Sequence, residues 1–272
     1  MSFFEVRPGM QMHYQVIEGV FPEDVLFIHG NLASNNWWHP SAEIFRAEAE
    51  GKSYKGRMIM AEFWGCGESS APKSIEDVRM PLLAKDYLSL LHHLQSPRCH
   101  LVGHSTGGLI ATYMAAQQSA QMIGKLLLLD PVGLSGVQFH PSMNEAFEQM
   151  KQSRELVQTV LGSTIFGEAS KSDFFIEILV KDAQRAVRDV GPWILQVLHG
   201  LDSRPTLQSV MNPTKVLHGE HDNLLPRSDS EQMSQFLPNA SFEVLENQGH
   251  CCNIENPAKF TAVTNQFLWN SL

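Results

Sequence analysis

The chain has 272 residues, 43% of them hydrophobic and 18% charged, which is enough apolar side chain for one large domain and excludes a disordered chain. A formal net charge of −9, with no run rich in Lys or Arg, argues against nucleic acid or an anionic membrane as a partner. Met1-Ser2-Phe3-Phe4-Glu5 lacks the basic-then-apolar pattern of a secretory signal, and no apolar segment is long enough to span a bilayer. Cys66, Cys99, Cys251 and Cys252 have the spacing of neither a disulfide framework nor a zinc ribbon, so a reduced, cytoplasmic setting is expected.

Ser2 to Val6 and Met10 to Ile17 read as antiparallel strands around the turn residues Arg7-Pro8-Gly9. Val25 to Ile28 is a continuous apolar run, the pattern of a strand buried on both faces of a parallel sheet, and it leads into His29-Gly30-Asn31-Leu32. A helical pattern from Trp37 to Glu50 stops at Gly51, and the strand Arg57 to Ala61 enters the loop from Glu62 to Ser69. Val78 to Gln95 is an amphipathic helix with Leu83, Tyr87, Leu90, Leu91 and Leu94 on one face. The apolar run at Leu101-Val102 breaks off in Gly103-His104-Ser105-Thr106-Gly107-Gly108, and Gly108 to Met114 continues as helix. Lys125 to Leu129 is a further buried strand ending at Asp130-Pro131. These strands and the helices between them predict a right-handed, mostly parallel α/β sheet.

The alternation then stops. Leu134 to Met211 carries helical patterns only, at Asn144 to Leu161, Phe174 to Val190 and Pro192 to Leu201. An all-helical insertion between two strands reads as a lid over the carboxyl edge of the sheet, where ligands of open α/β sheets bind; the alternative is a helical layer on its flank. The expected division is a core of residues 1–133 and 212–272 with an insertion of 134–211. Strands resume at Thr214 to His218 and Ser241 to Leu245. Ser228-Asp229-Ser230-Glu231 has the spacing of a capping box, and Asn256-Pro257 opens the last helix.

G-x-S-x-G on a strand-to-helix turn forces its serine into a strained conformation and exposes the hydroxyl above the first amides of the helix. Those amides lack intrahelical partners and favour negative charge. A serine hydroxyl needs a base to take its proton and a third group to fix that base's tautomer. His250 follows the last strand, and Asp222 follows the strand before it. Asp130 also ends a strand and is the alternative acid. His218, Glu220, His221 and Asp222 lack the spacing of a metal site, so none is expected. Cys251 and Cys252 beside His250 read as small buried side chains, with a redox switch as the lesser reading.

Five segments stand in register along nearly the whole chain. They are His29-Gly30-Asn31-Leu32, Trp64-Gly65-Cys66-Gly67-Glu68-Ser69, Gly103 to Gly108, Gly219-Glu220-His221-Asp222 with Pro226, and Gly249-His250 with Glu255-Asn256-Pro257. In these the chain resembles the α/β-hydrolase superfamily, with Glu62 standing where many members carry aspartate. The resemblance implies an eight-stranded sheet flanked by helices, a helical cap after the sixth strand and no cofactor. It implies oxyanion donors in the backbone N–H groups of Asn31, with Leu32 as the alternative, and of Thr106.

The expected activity is that of a serine hydrolase on esters of small to medium apolar acids, with Ser105, His250 and Asp222 as nucleophile, base and acid. Leu32, Phe139, Phe166, Phe174, Phe175 and Trp193 are the candidate pocket residues, and one arginine of the insertion is a candidate for a substrate carboxylate. A lactonase, a carbon–carbon bond hydrolase, a thioesterase or a cofactor-free perhydrolase uses the same three residues. An epoxide or haloalkane hydrolase is disfavoured, because the resemblance then implies aspartate in place of Ser105. A non-catalytic receptor of the same fold is the alternative from another class. The expected partner is a small-molecule ester, and the expected state is a monomer or homodimer.

Overall fold

The computed structural model describes residues 2–117 and 122–269; the outermost ends of the expected core unit, residues 1 and 270–272, lie outside them. Eight strands form one sheet in the order β1-β2-β4-β3-β5-β6-β7-β8. They are β1 Ser2–Arg7, β2 Met10–Phe21, β3 Asp24–Ile28, β4 Gly56–Ala61, β5 Cys99–His104, β6 Ile123–Leu129, β7 Thr214–Gly219 and β8 Ala240–Leu245. β1 with β2 and β2 with β4 are antiparallel; every other pair is parallel. Each strand run read from the sequence is a strand here. No helix among the described residues is long and apolar enough to cross a membrane.

The continuous apolar runs are explained by two covered faces. Leu26, Ile28, Leu101, Leu126 and Leu128 pack on one side with Tyr87, Ile110 and Met114, from α2 (Met80–His93) and α3 (Thr106–Gln117). Val25, Phe27, Val102, Leu127 and Leu129 point the other way, onto Trp38, Phe45, Phe260 and Leu268. Phe45 lies on α1 (His39–Ala49), and Phe260 and Leu268 on α11 (Pro257–Trp269). Fully burying one such side chain contributes about 1.5–3 kcal/mol, so the central strands are the most expensive part of the fold to disturb.

Between β6 and β7 the chain is helical: α4 Ser142–Gln152, α5 Arg154–Gly162, a π-helical turn Phe175–Leu179, α6 Val180–Asp189, α7 Trp193–Leu198 and α8 Arg204–Ser209. The expected single helix from Asn144 to Leu161 is two, because Ser153 has extended backbone and caps α5 through its hydroxyl, which accepts from Leu156 N. α9 (Arg227–Phe236) also departs from expectation. It starts after Pro226, so Ser228 is already inside it and no capping box forms there. Ser230 instead turns its hydroxyl to His218, 3.0 Å away. Asn256 does cap the last helix, accepting from Lys259 N at 3.0 Å. A short α10, Cys252–Glu255, precedes it.

β4 lies on one side of β3 and β5 on the other. Successive connections therefore leave the carboxyl ends of β3 and β5 in opposite directions and open a crevice between them, the place where open α/β sheets take ligands. His29 to Leu32 leaves β3 there, and Ser105 leaves β5.

Candidate active site

Ser105 has φ +53, a left-handed conformation that costs a residue with a side chain about 1–2 kcal/mol. Backbone bonds to the neighbouring strand hold it there. Ser105 N donates to Leu129 O at 2.9 Å, and Ser105 O accepts from Gly108 N and Val132 N at 3.0 and 3.2 Å. The turn closes only because its flanks are glycine. A Cβ on Gly103 would lie 2.4 Å from Gly107 O, and one on Gly107 would lie 2.1 Å from Ile28 O. α3 begins at Thr106, so the positive end of its dipole lies directly behind the serine.

His250 lies in the loop after β8, with its side chain buried. Its Nδ1 is 2.7 Å from Asp222 Oδ2. Asp222 Oδ1 accepts from Leu224 N at 2.7 Å and Leu225 N at 3.0 Å. Burial alone would push the Asp222 carboxyl up, but the His250 bond and these two N–H groups outweigh it and hold it below the usual carboxylate range. An ionised Asp222 keeps the imidazole proton on Nδ1 and leaves Nε2 as the bare acceptor. Ser105 and His250 line one cavity of about 200 Å³ together with Asn31, Leu32 and Thr106.

Two side chains steady the His250 loop from below. Glu255 accepts from Cys251 N and Phe166 N, both at 3.0 Å, and from Gly249 N at 2.5 Å. It ties the loop to the helical segment between β6 and β7. His104, from β5, donates through Nε2 to His250 O at 2.9 Å. Burial, and then the neighbouring His250, push His104 down from 6.5 to about 3, so it is neutral at working pH. Burial also pushes His29 and His100 down.

A histidine held neutral in the fold and free to charge when unfolded stabilises the fold fully above the unfolded value of about 6.5 and loses that stability as pH falls toward the folded one. Each such group costs up to about 1.4 kcal/mol per pH unit below 6.5. Tm is therefore expected to fall between pH 6.5 and 4.5, by about 2–4 °C per kcal/mol for a chain of this size. His104→Gln should flatten the slope. A Tm constant over that range in a thermal-shift titration would contradict the neutral assignment.

Glu62 fills the place of the shorter acid because Gly67 makes room; a Cβ there would sit 2.0 Å from its carboxyl carbon. The carboxylate accepts from Asn35 N at 2.9 Å and Glu68 N at 2.7 Å and lies 2.8 Å from His13 Nδ1. Burial favours the neutral acid, but the His13 and Asn35 bonds outweigh it and hold Glu62 below its usual range. It fixes the two loops beside β3 and β4. The helical segment is fastened to the same loops, where Asp182 accepts from Ser34 Oγ at 2.5 Å and Asn36 Nδ2 at 2.7 Å, and Arg185 pairs with Glu68 at 2.9 Å.

The pocket expectations need correction. Leu32 lines the cavity; Phe139, Phe166, Phe174, Phe175 and Trp193 do not. Phe175 is fully buried in the interior of the helical segment, with Phe174 and Trp193 packed against the same cluster. Phe166 stacks on His221 at 4.2 Å on the surface, and the backbone N of Phe139 is tied to His199. The outer wall is instead Val137, Phe147, Met150, Val160, Leu161, Thr164, Leu195 and Leu198, with Leu224 and Leu225 from the Asp222 loop. No Arg, Lys, Asp or Glu is among the described lining residues, so the expected cap arginine is not there. Trp37 and Cys251 complete the wall. Burial pushes the Cys251 and Cys252 thiols up, away from the reactive thiolate. His218 turns to Ser230, Glu220 accepts from the Asn247 amide, and His221, 3.7 Å from Glu220, stacks on Phe166.

The sequence pattern of the Alpha/beta hydrolase family matches residues 25–263. The chain belongs to that family. Among curated relatives, 3-oxoadipate enol-lactonase 1 of Acinetobacter baylyi is 23% identical over 96% of this chain and 94% of its own. Epoxide hydrolase 3 of Xenopus tropicalis is 24% identical over 96% of this chain and 75% of its own. Among solved structures, an esterase from Exiguobacterium antarcticum superposes with a TM-score of 0.82 at 21% identity, covering 98% of both chains. The enol-lactonase of Burkholderia xenovorans LB400 gives 0.80 at 19%, covering 98% of this chain and 99% of its own.

Proposed function

We propose that the chain is a serine hydrolase acting on carboxylic esters of small to medium, uncharged, apolar acids. The observation that carries this reading is Ser105, strained to φ +53 in an uncharged apolar cavity that His250 also lines. In this reading Ser105 Oγ attacks the ester carbonyl while His250 Nε2 takes its proton. Asp222 holds the imidazole and the cation it becomes. The N–H groups of Thr106 and Asn31 receive the oxyanion. His250 then returns the proton to the leaving alcohol, and water resolves the acyl-enzyme by the same route. Two such amides contribute several kcal/mol of barrier lowering. Residues 134–211 serve as the cap that closes the acyl pocket.

The cavity narrows the substrate. An apolar cavity of about 150 Å³ takes a benzene ring, so about 200 Å³ suits an acyl group of roughly four to eight carbons. Each buried methylene contributes about 0.8 kcal/mol, close to fourfold in binding. A free carboxylate on the acyl chain would be buried without a cation, at a cost of several kcal/mol. This favours neutral esters and neutral lactones over acyl groups that carry a free carboxylate.

With p-nitrophenyl esters, kcat/KM is expected to rise from acetate to an optimum within roughly four to eight carbons and to fall at least about tenfold by sixteen. A monoester of a dicarboxylic acid of matched length should be at least about 100-fold slower than its neutral counterpart. A preference for the charged acyl chain, or hydrolysis indifferent to chain length, would overturn the assignment.

A further inference from the structure

A second carboxyl lies beside the Asp222–His250 pair, and the mechanism above leaves it unused. Asp130, immediately after β6, is wholly buried and has φ +42, a left-handed conformation that is strained for a residue with a side chain. Its backbone N donates to Leu217 O at 2.9 Å, which docks the residue on β7. Its Oδ1 accepts from Gly219 N at 2.7 Å. Its Oδ2 is buried and has no partner that is a donor. One oxygen from each of the two carboxyls and one His250 ring nitrogen all lie within 4.8 Å of one another. Asp130 and Asp222 therefore face one another across a short gap.

Two carboxylates repel; a hydrogen bond between two carboxyls requires that one of them carry a proton. The donors decide which. Asp222 receives three, from Leu224 N, Leu225 N and His250 Nδ1. Asp130 receives one N–H, from Gly219. His218 Nδ1 stands 3.3 Å from Asp130 Oδ1, but nearer Ser230 Oγ, and burial keeps that imidazole toward its neutral form. The other titratable groups facing Asp130 are Asp222 and His250, with Glu255 on α10 and the neutral thiols of Cys251 and Cys252. Asp229 on α9 lies against Gly133, three residues further on. None of these is a fixed cation. Burial first, and the Asp222 charge second, push Asp130 well above the carboxylate range.

We propose that Asp130 is a neutral carboxylic acid whose O–H is donated to Asp222, and that it is a positioning residue for the acid of the triad. The inference rests on the serine-hydrolase reading for its kinetic consequence, not for the protonation itself. The proton turns a repulsive neighbour into a further donor. It anchors the Asp222 carboxylate, and it keeps a second negative charge away from His250, which would otherwise hold the imidazole charged and unable to accept the serine proton.

Infrared difference spectra of the resting protein at pH 7, wild type against Asp130→Asn, test the protonation without any turnover. The carbonyl stretch of a protonated carboxylic acid should be present in the wild type and lost in the variant. Its absence from the wild type would overturn the proposal whatever the enzyme hydrolyses. Kinetics test the role. Asp130→Ala removes the donor and should lower kcat at least about tenfold with little change in KM. Asp130→Asn replaces O–H by N–H and should recover kcat to within about threefold, with the acid limb of the kcat/KM profile in place. If Asp130 were ionised, Asp130→Asn would remove a charge beside His250 and move that limb down by about one pH unit or more, which would overturn the proposal. Should Asp130→Ala fail to fold, the infrared band and the Asp130→Asn profile decide it alone.

Discussion

Ser105→Ala should abolish ester hydrolysis, with a loss on the order of 10^6 in kcat if the residue acts as the nucleophile does in a serine protease. In the proposed mechanism Oγ bonds to the acyl group, and no other cavity group is placed to replace it. Thr164 Oγ1 is committed to Leu161 O. The Cys251 thiol is held in its unreactive form by burial. The fold should survive, because alanine keeps the same backbone and the turn is held by main-chain bonds from Leu129, Gly108 and Val132. A fluorophosphonate probe should add once to the wild type, at Ser105, and not to the variant. Labelling at another residue, or a variant retaining more than a few per cent of kcat, would remove Ser105 from its role.

Asp222→Asn should lower kcat by on the order of 10^4 with little change in Tm. An asparagine at this place still satisfies Leu224 N and Leu225 N through its amide oxygen. It then presents an NH₂ to His250 Nδ1, which forces the opposite tautomer and puts the ring proton on Nε2, where the serine proton has to go. It also leaves the imidazolium without a counter-charge. The measurement is kcat on the best p-nitrophenyl ester, beside a thermal melt of each protein. A loss below about tenfold would mean that the imidazole is oriented by another group, and Asp130 is the one within reach.

Much of this was legible in the sequence because it depends on local pattern. Uninterrupted apolar runs such as Val25 to Ile28 and Leu126 to Leu129 have one physical explanation, a strand covered on both faces, and both are strands. The positions of Ser105, Asp222 and His250 were legible because each follows a strand at a turn, and strand ends share one edge of a parallel sheet. The wall of the cavity was not. Which face of a helix between β6 and β7 looks inward depends on how those helices pack on one another and on the loops after β3 and β4. Phe175 and Trp193 were used to build the interior of that layer, and its cavity face was left mostly to aliphatics, with Phe147 beside them. Glu255 and Asp182 were missed as fasteners for a related reason. The bonds that tie each to the other layer reach Phe166 N, 89 residues from Glu255, and Ser34 Oγ, 148 residues from Asp182, and no spacing within either helix marks them. The start of α9 was misplaced because Ser228 and Glu231 carry a capping signature that a proline two residues earlier overrides.

The two halves of the cavity are held by different kinds of bond. Ser105, its turn and the loop after β3 are fixed by main-chain hydrogen bonds and by close backbone approach, which tolerate almost no side-chain variation. Val137, Val160 and Leu195 face the same space from helices and loops that share no strand pairing with the sheet. Their side chains are free variables. A change of volume there redraws what fits without disturbing the bonds at the strand ends. In directed evolution this fold is therefore a two-part instrument: if the proposed hydrolase reading holds, a library confined to those three positions samples new acyl groups while the turn stays intact.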